Sequence, residues 1–506
     1  MKPILDKKYK IYEFEIFSLN TIEKIYGKGR KYGVGKFISK LYKRKICLQS
    51  VDENDSHLLN KGYVYLPHSE IVRYLGVNKK DGEYEWKTIL KSLSKRGIVS
   101  YKREGNNPYD SNKKLYYFRL SDDFDNSKKT YVDVESNTLN KFISKQNSKY
   151  VSELSKGKGL DIFLLYELDV CIKSTLSIKD LDDIIDLRVN NKLTEYRDKL
   201  EWEWLGKRQR KKIYSKLVDE EVFIERYKRL LKSKYEILQI DLQNLRDGNY
   251  FDLSTNYFKR DEYGYRVYNI FSRCIREYRS FIKIDGEETI EVDLKNSMIS
   301  MLYYFIKLLN DKPNKQSGLV KDVYNKLIQL RDGEINDVWL GLPYLQRWEY
   351  IKDYGDKFNN DYYLFLKEES GFENMSRNSF KELLWLILFG RESQLKKSIN
   401  LNKHKYDDLK HLLLGSGRFL VEDITKIDLY KWNKKNYRRY KNTSLILHTI
   451  ERLVMETMST ILIEKKYKYI SIFDGFIVKK SQSEEIHKLL NSRVSSIDKV
   501  FTFTLK

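Results

Sequence analysis

Two short apolar, β-branched runs each deliver one aspartate: IEVDLKNSMISML, residues 290–302, and YISIFDGFIVKK, residues 469–480. Their length and residue type predict strands ending at or near Asp293 and Asp474. After Asp293 the apolar spacing becomes helical, with Met298, Ile299, Leu302 and Phe305 on one stripe, so this acid stands at a strand-to-helix junction. After Asp474, Gly475 permits a tight turn and Phe476-Ile477-Val478 resumes the strand, which predicts a β-hairpin with the acid at its tip. Between the two lies MSRNSFKELLWLILFG, residues 375–390, a predicted helix with Ser376 as N-cap. Arg377 and Lys381 sit one turn apart on it, roughly 6 Å along the axis. Leu384, Trp385, Leu388 and the pair Phe389-Gly390 follow on that side. A further amphipathic helix, Ser444 to Lys466, turns Leu445, Ile450, Leu453, Val454, Met458 and Ile461 inward and leads into the hairpin.

The N-terminal half has a different rhythm. Ser69 caps a short helix, SEIVRYLG, with Ile71, Val72 and Leu75 inward and Gly76 as its stop. A second helix, Tyr84 to Arg96, carries Trp86, Ile89, Leu90 and Leu93 on its apolar side, and Gly97 ends it. Ile98 to Arg103 and Leu115 to Leu120 then read as two strands joined by a polar loop. Helix, turn, helix and wing in this order resemble a winged helix-turn-helix at about residues 63–122. Lys87, Lys91 and Lys95 on the outer side of the second helix would meet phosphates or a major groove; the same fold also serves protein contacts. Ahead of it, KIYGKGRKYGVGKF reads as a flexible basic loop, because neither phosphate-loop glycine spacing is met. Residues 126–155 are polar and linker-like, and Leu160 to Leu187 is helical, with Asp180, Asp182, Asp183 and Asp186 on a solvated face. Glu195 to Arg246 predicts one or two long, basic helices. Arg266 and then Arg273, Arg276 and Arg279 follow, the last three placed to contact template or primer phosphates.

Composition narrows the partners. The 506 residues carry a formal charge of +23 and 40 tyrosines, cations interleaved with rings that suit nucleic acid. No apolar run reaches the span of a bilayer, so no membrane role is expected, and without targeting segments a cytoplasmic location is the default. Cys47, Cys171 and Cys274 have no metal or disulfide spacing. Alanine, the best helix former, is absent, for which nucleotide bias is the plain explanation and synthesis under scarce alanyl-tRNA the alternative.

A strand-end aspartate is commonly a turn former, and a helix with a basic first turn is often simply amphipathic core. Taken together the residues point elsewhere. Two strand-borne carboxylates hold two divalent ions about 3.5–4 Å apart in enzymes of in-line phosphoryl transfer; two cations one turn apart suit a triphosphate, and an aromatic next to a glycine suits a base pair. Arg377, Lys381 and Phe389-Gly390 resemble motif B of the polymerase superfamily that contains bacterial DNA polymerase I and the single-subunit phage-type RNA polymerases. VDLKNS around Asp293 resembles its motif A and IFDGFIV around Asp474 its motif C, in the family order.

The resemblance implies a mostly helical α+β chain with a right-hand palm, fingers and thumb. With the winged helix in 1–125 and the linker and helical packing region in 126–190 read from their own patterns, the resemblance implies 191–260 as basic thumb-like helices and 261–506 as palm and fingers. It implies template-directed nucleotidyl transfer in which Asp293 and Asp474 hold two Mg²⁺ or Mn²⁺ ions. Arg377 and Lys381 would bind a nucleoside triphosphate, Phe389 and Gly390 would position the base pair, and DNA, with RNA as a further partner, would be template. Two departures bear on chemistry. Phe473 and Gly475 flank Asp474 where the family usually has His and Glu or Ser, so a second motif-C carboxylate is missing. Met298 stands where the DNA enzymes place a sugar-blocking glutamate, while Phe389 lacks the tyrosine hydroxyl of the RNA enzymes. RNA polymerase, primase and DNA polymerase therefore stay open, with template-independent tailing a variant of the same core. The rival is a non-catalytic replication initiator or transcription regulator.

Overall fold

The computed structural model describes residues 10–48, 63–133, 162–201, 205–248, 258–260, 266–311, 319–330, 361–389, 424 and 442–506, apart from 67, 77, 81–82, 108–109, 370 and 374. The chain is mostly helical α+β and divides into two compact units: Met1–Leu165 with Arg226–Tyr257, and Tyr166–Glu225 with Phe258–Lys506.

The first unit begins with β1 (Lys10–Phe14), α1 (Leu19–Tyr26) and α2 (Lys31–Leu48). It continues through β2 (Val64–Leu66), α3 (His68–Leu75), α4 (Glu85–Lys95), the long hairpin strands β3 (Val99–Asn107) and β4 (Asp110–Leu120), and β5 (Lys129–Asp133). The sheet order is β2-β4-β3, and β5 pairs antiparallel with β1. Half of the residues expected to be a flexible basic loop are the start of α2, and the rest end α1 and form a short turn at Lys28–Arg30. Val34, Phe37, Ile38, Leu41 and Tyr42 recur at helical spacing and are all buried, so burial of that stripe overrides the two glycines inside it. Gly33 lets α2 approach α3: a Cβ there would stand 2.2 Å from the Tyr74 carbonyl oxygen. Three smaller differences appear. Helix α3 starts at His68, with Ser69 inside it, the hairpin strands run further into the polar loop, and the first part of the expected linker is the strand β5. Ile237, on the helix Glu220–Arg246, joins the core that α2, α3 and α4 share, so residues from Arg226 onward belong to this unit and not with the helices before them.

The second unit begins within α5 (Ile162–Lys173), at Tyr166, and α5 leads into β6 (Ser174–Leu176), α6 (Leu181–Glu201) and the basic α7 (Lys207–Val218). The strand β6 interrupts what the apolar pattern suggested was one helix. Then come β7 (Ile282–Ile284), β8 (Glu287–Leu294), α8 (Ser297–Asp311), α9 (Tyr362–Glu369), α10 (Arg377–Phe389) and α11 (Asn442–Glu464). The chain closes with β9 (Tyr469–Ile472), β10 (Gly475–Lys479), α12 (Ser483–Ile497) and β11 (Phe503–Leu505). Six strands form one curled antiparallel sheet in the order β9-β10-β8-β7-β6, with β11 on β8 beside β7. Helix α11 buries Leu445, Ile450, Val454 and Met458 as its periodicity predicts, but Leu453 is exposed, because a helix covered on one side leaves that position facing out.

Candidate active site

Strand β8 carries Asp293 one residue before its end. Its Cα partner on one side is Gly475 of β10 and on the other Thr504 of β11. The Leu294 N–H donates to the Asp474 carbonyl at 2.9 Å, so the two aspartates, far apart in the chain, stand on neighbouring strand ends. The Ser297 hydroxyl, at the first residue of α8, donates to Asp474 Oδ2 at 2.5 Å. The ammonium of Lys506 pairs with Asp293 Oδ2. Both expected acids thus share one end of the sheet.

The hairpin turn differs from the sequence expectation in an instructive way. The left-handed residue is Phe473, at φ +52°, and not Gly475. Glycine is required at 475 for space: a Cβ would lie 2.8 Å from Asp293 Oδ1 and 2.9 Å from the Val292 carbonyl oxygen. A carboxylate side chain after Asp474 is therefore incompatible with Asp293 where it stands. Phe473 is held from two sides, edge-on by Tyr268 with ring centroids 5.6 Å apart and by the Arg266 guanidinium 5.6 Å from its centroid. Arg266 in turn pairs with the buried Glu451 of α11 at 2.5 Å.

Beneath the hairpin lies a buried network that sequence reasoning missed. Asn269 Nδ2 donates to Glu167 Oε2 at 2.6 Å and to the Ser471 carbonyl at 2.7 Å, and Ser471 Oγ donates to Glu167 Oε1 at 2.5 Å. Asn269 also caps the short turn Ile270–Arg273 through a reciprocal capping box with Ser272. The N-x-x-S spacing is visible in the sequence, whereas its link to Glu167 on α5 is purely tertiary.

Helix α10 is capped as expected, the Ser379 N–H donating to Ser376 Oγ at 3.3 Å. Arg377 Nε donates to Asp361, whose other oxygen accepts from the Tyr363 N–H at 3.0 Å. The ring of buried Tyr363 lies under both cations, 5.2 Å from Arg377 and 5.3 Å from Lys381, and Lys381 also stands 5.1 Å from the Trp385 centroid. Arg377, Lys381 and the 40 % exposed Trp385 therefore form one stripe, i, i+4, i+8. Burial lowers the Lys381 pKa and the negative charges of Asp474 and then Asp361 oppose that, which puts Lys381 within electrostatic reach of Asp474. Burial lowers Lys295 as well, opposed by Asp361, with Arg377 adding to the lowering. Burial pushes the Tyr363 phenol up to about 12, so it stays neutral. Glu382, the acid next to Lys381 in the chain, pairs instead with Lys199 at 2.9 Å.

The remaining expected residues scatter. Met298 is buried on α8. Arg276 is exposed, Arg279 pairs with Glu291 at 3.4 Å, and the Arg273 side chain, the Phe389 side chain and Gly390 lie outside the described residues. In the first unit Lys87, Lys91 and Lys95 are exposed on α4; Lys87 lies 5.6 Å from the Trp86 centroid and Lys91 pairs with Glu83 at 2.7 Å. The stretch from Arg418 to Asn442, basic and aromatic in sequence and so expected to track a nucleic-acid strand, lies outside the described residues apart from Ile424 and Asn442.

The donor set can be weighed against divalent ions. Among the described residues no three or more His, Cys, Asp or Glu side chains gather, and the Gly475 contact excludes another carboxylate beside Asp474. Mg²⁺ is commonly held by one or two carboxylates, with substrate phosphates and water completing an octahedron. Asp293 and Asp474 fit that pattern. No family model matches this chain, and no curated protein matches it significantly.

Proposed function

We propose that the second unit is a template-directed nucleotidyltransferase built as the palm and fingers of a right-hand polymerase, and that the first unit is a winged helix that binds DNA. The observation that carries this reading is the convergence of Asp293 and Asp474 on one sheet end, with Lys381 of the Arg377-Lys381-Trp385 stripe of α10 in the field of Asp474. Strand-end carboxylates opposite a cationic helix are what joining a nucleotide requires: negative groups for the metal side, positive groups for the phosphate side. In the first unit, α4 with exposed Lys87, Lys91 and Lys95 and the β3-β4 hairpin supply a helix for a groove and a wing for the backbone.

Asp293 and Asp474 would hold the Mg²⁺ or Mn²⁺ ions, which when bound lower the pKa of an attacking hydroxyl and neutralise a leaving pyrophosphate. Ser297 orients the Asp474 carboxylate, and the Glu167-Asn269-Ser471 network fixes the strand that presents it. Arg377 and Lys381 receive the triphosphate, their heads already aligned over Tyr363, so little side-chain entropy is lost on binding. Trp385 offers the aromatic face next to Lys381. Asp361 occupies one edge of Arg377, leaving the outer edge of the guanidinium for phosphate.

The test is incorporation of labelled ribo- or deoxyribonucleotides by the purified full chain on primed and unprimed templates with Mg²⁺ or Mn²⁺. We expect product that disappears in Asp293→Asn and Asp474→Asn. Full activity in both variants would remove the catalytic reading and leave a DNA-binding initiator or regulator.

A further inference from the structure

The two carboxylates are not equivalent. Asp474 accepts from the neutral Ser297 hydroxyl and makes no ion pair within 4.0 Å among the described residues, whereas Asp293 is already neutralised by Lys506. The pairing is built into the sheet. Strand β11 lies on β8 opposite the hairpin, with Asp293 across from Thr504 and Val292 across from Leu505. The Lys506 N–H continues that ladder by donating to the Glu291 carbonyl at 2.9 Å. Lys506 therefore stands across from Glu291, and strand alternation puts its side chain on the face that Glu291 and Asp293 share. Glu291 is held by Arg279 at 3.4 Å and its charge also reaches Lys506, but the ammonium itself lies on Asp293. The lysine is half-accessible, with 40 % of its side chain exposed, so it has room to swing into solvent; Asp293, at 14 %, does not.

We propose that Lys506 is a built-in counter-ion that competes with a divalent cation for Asp293. One cation is taken readily through Asp474. Full occupancy of the pair requires the ammonium to leave Asp293, because Lys506 and a metal cannot neutralise the same carboxylate oxygen. The two metal positions consequently have unequal affinities, and β11 acts as the strap that sets the difference. This inference rests on the assignment of Asp293 and Asp474 as metal ligands.

The test is Mn²⁺ binding to the full chain, followed by electron paramagnetic resonance of the free ion, in the parent and in Lys506→Met, Lys506→Arg, Asp293→Asn and Asp474→Asn, with thermal unfolding as a control for folding. We expect a tight and a weak Mn²⁺ in the parent. Lys506→Met should tighten the weak one roughly fivefold, the scale of one partly exposed ion pair. Lys506→Arg should leave it weak, and Asp293→Asn should remove it. Equal binding in the parent and Lys506→Met, or weaker binding in Lys506→Met with folding intact, would overturn the proposal. If Mn²⁺ binding survives both aspartate substitutions unchanged, the failure lies instead with the metal assignment beneath it.

Discussion

Helix α2 of the first unit and the sheet end of the second put charge to opposite uses. In the first, α2 carries Lys36, Lys40, Lys43 and Lys45, each no more than 6 % exposed. Lys45 is answered by Asp122 at 3.2 Å and Asp125 at 2.9 Å, and Lys36 and Lys40 feel the carboxylates of Glu70 and Asp241. Burial drives Lys36 well below the usual lysine range and Lys40 down to about 8. In the second unit, Asp293 and Asp474 are only partly covered, at the end of a sheet and in the field of cations on other elements. A charge sealed inside a core serves packing and exacts desolvation. A charge left partly open, with opposite charge arranged around it, is available to a substrate. Ionisable side chains are plentiful in both units, and accessibility separates the two uses.

The sharpest way to break that contrast is to crowd the acids. Gly475→Ala puts a methyl group against Asp293 Oδ1, and a displacement of about 1 Å at a reacting centre costs on the order of 100-fold in rate. Incorporation kinetics should show that loss, with overall folding retained by circular dichroism; activity within a factor of about two of the parent would mean that Asp293 need not stay where it stands.

A smaller effect is expected beneath the hairpin. Asn269→Ala takes the Nδ2 hydrogen bond from the buried Glu167 carboxylate, leaving it that of Ser471, and should cost about 2–3 kcal/mol in chemical denaturation of the second unit. An unchanged midpoint would show that the network carries no stability. Next, Tyr363→Leu removes the ring under Arg377 and Lys381 and should weaken triphosphate binding about tenfold, as two partly desolvated cation–π contacts would. Tyr363→Phe keeps the ring and should bind like the parent. Equal loss in both variants would assign the effect to the hydroxyl.

The mildest effect concerns the sealed lysines. The folded chain gives up the Lys40 proton at about 8, before the unfolded chain does at the ordinary lysine value of 10.5. The unfolded state thus binds more protons through that window, and stability rises with pH. The gain is about 0.5 kcal/mol or less between about pH 7 and pH 8. Denaturation midpoints of the first unit across that range, compared with Lys40→Met, would read it; a fall with rising pH would contradict the assignment.

Much of the site was legible in the chain. Strand runs ending at Asp293 and Asp474, the Ser376 cap and the spacing of Arg377 and Lys381 are local patterns, and local patterns depend on neighbours a few residues away. Helix α2 was misread because Gly33 and Gly35 argue against a helix locally, while the apolar stripe from Val34 onward wins only when α3 and the helix Glu220–Arg246 are present to bury it. Tyr363 and Asp361 gave no signal, since an aromatic and an acid near a helix start are unremarkable until α10 folds over them.

By itself the sequence determined the order and type of most elements and which face of each is apolar, because backbone propensity and side-chain period are short-range properties. Tertiary structure alone decided which strands became neighbours. It placed β10 and β11 on the two sides of β8, so that Ser297 reaches Asp474 across 177 residues of chain and Lys506 reaches Asp293 across 213. It also turned Gly475 from a turn residue into a spacer. Contacts of that reach depend on the packed sheet bringing distant backbone within a few ångströms, and no window of local sequence contains that distance.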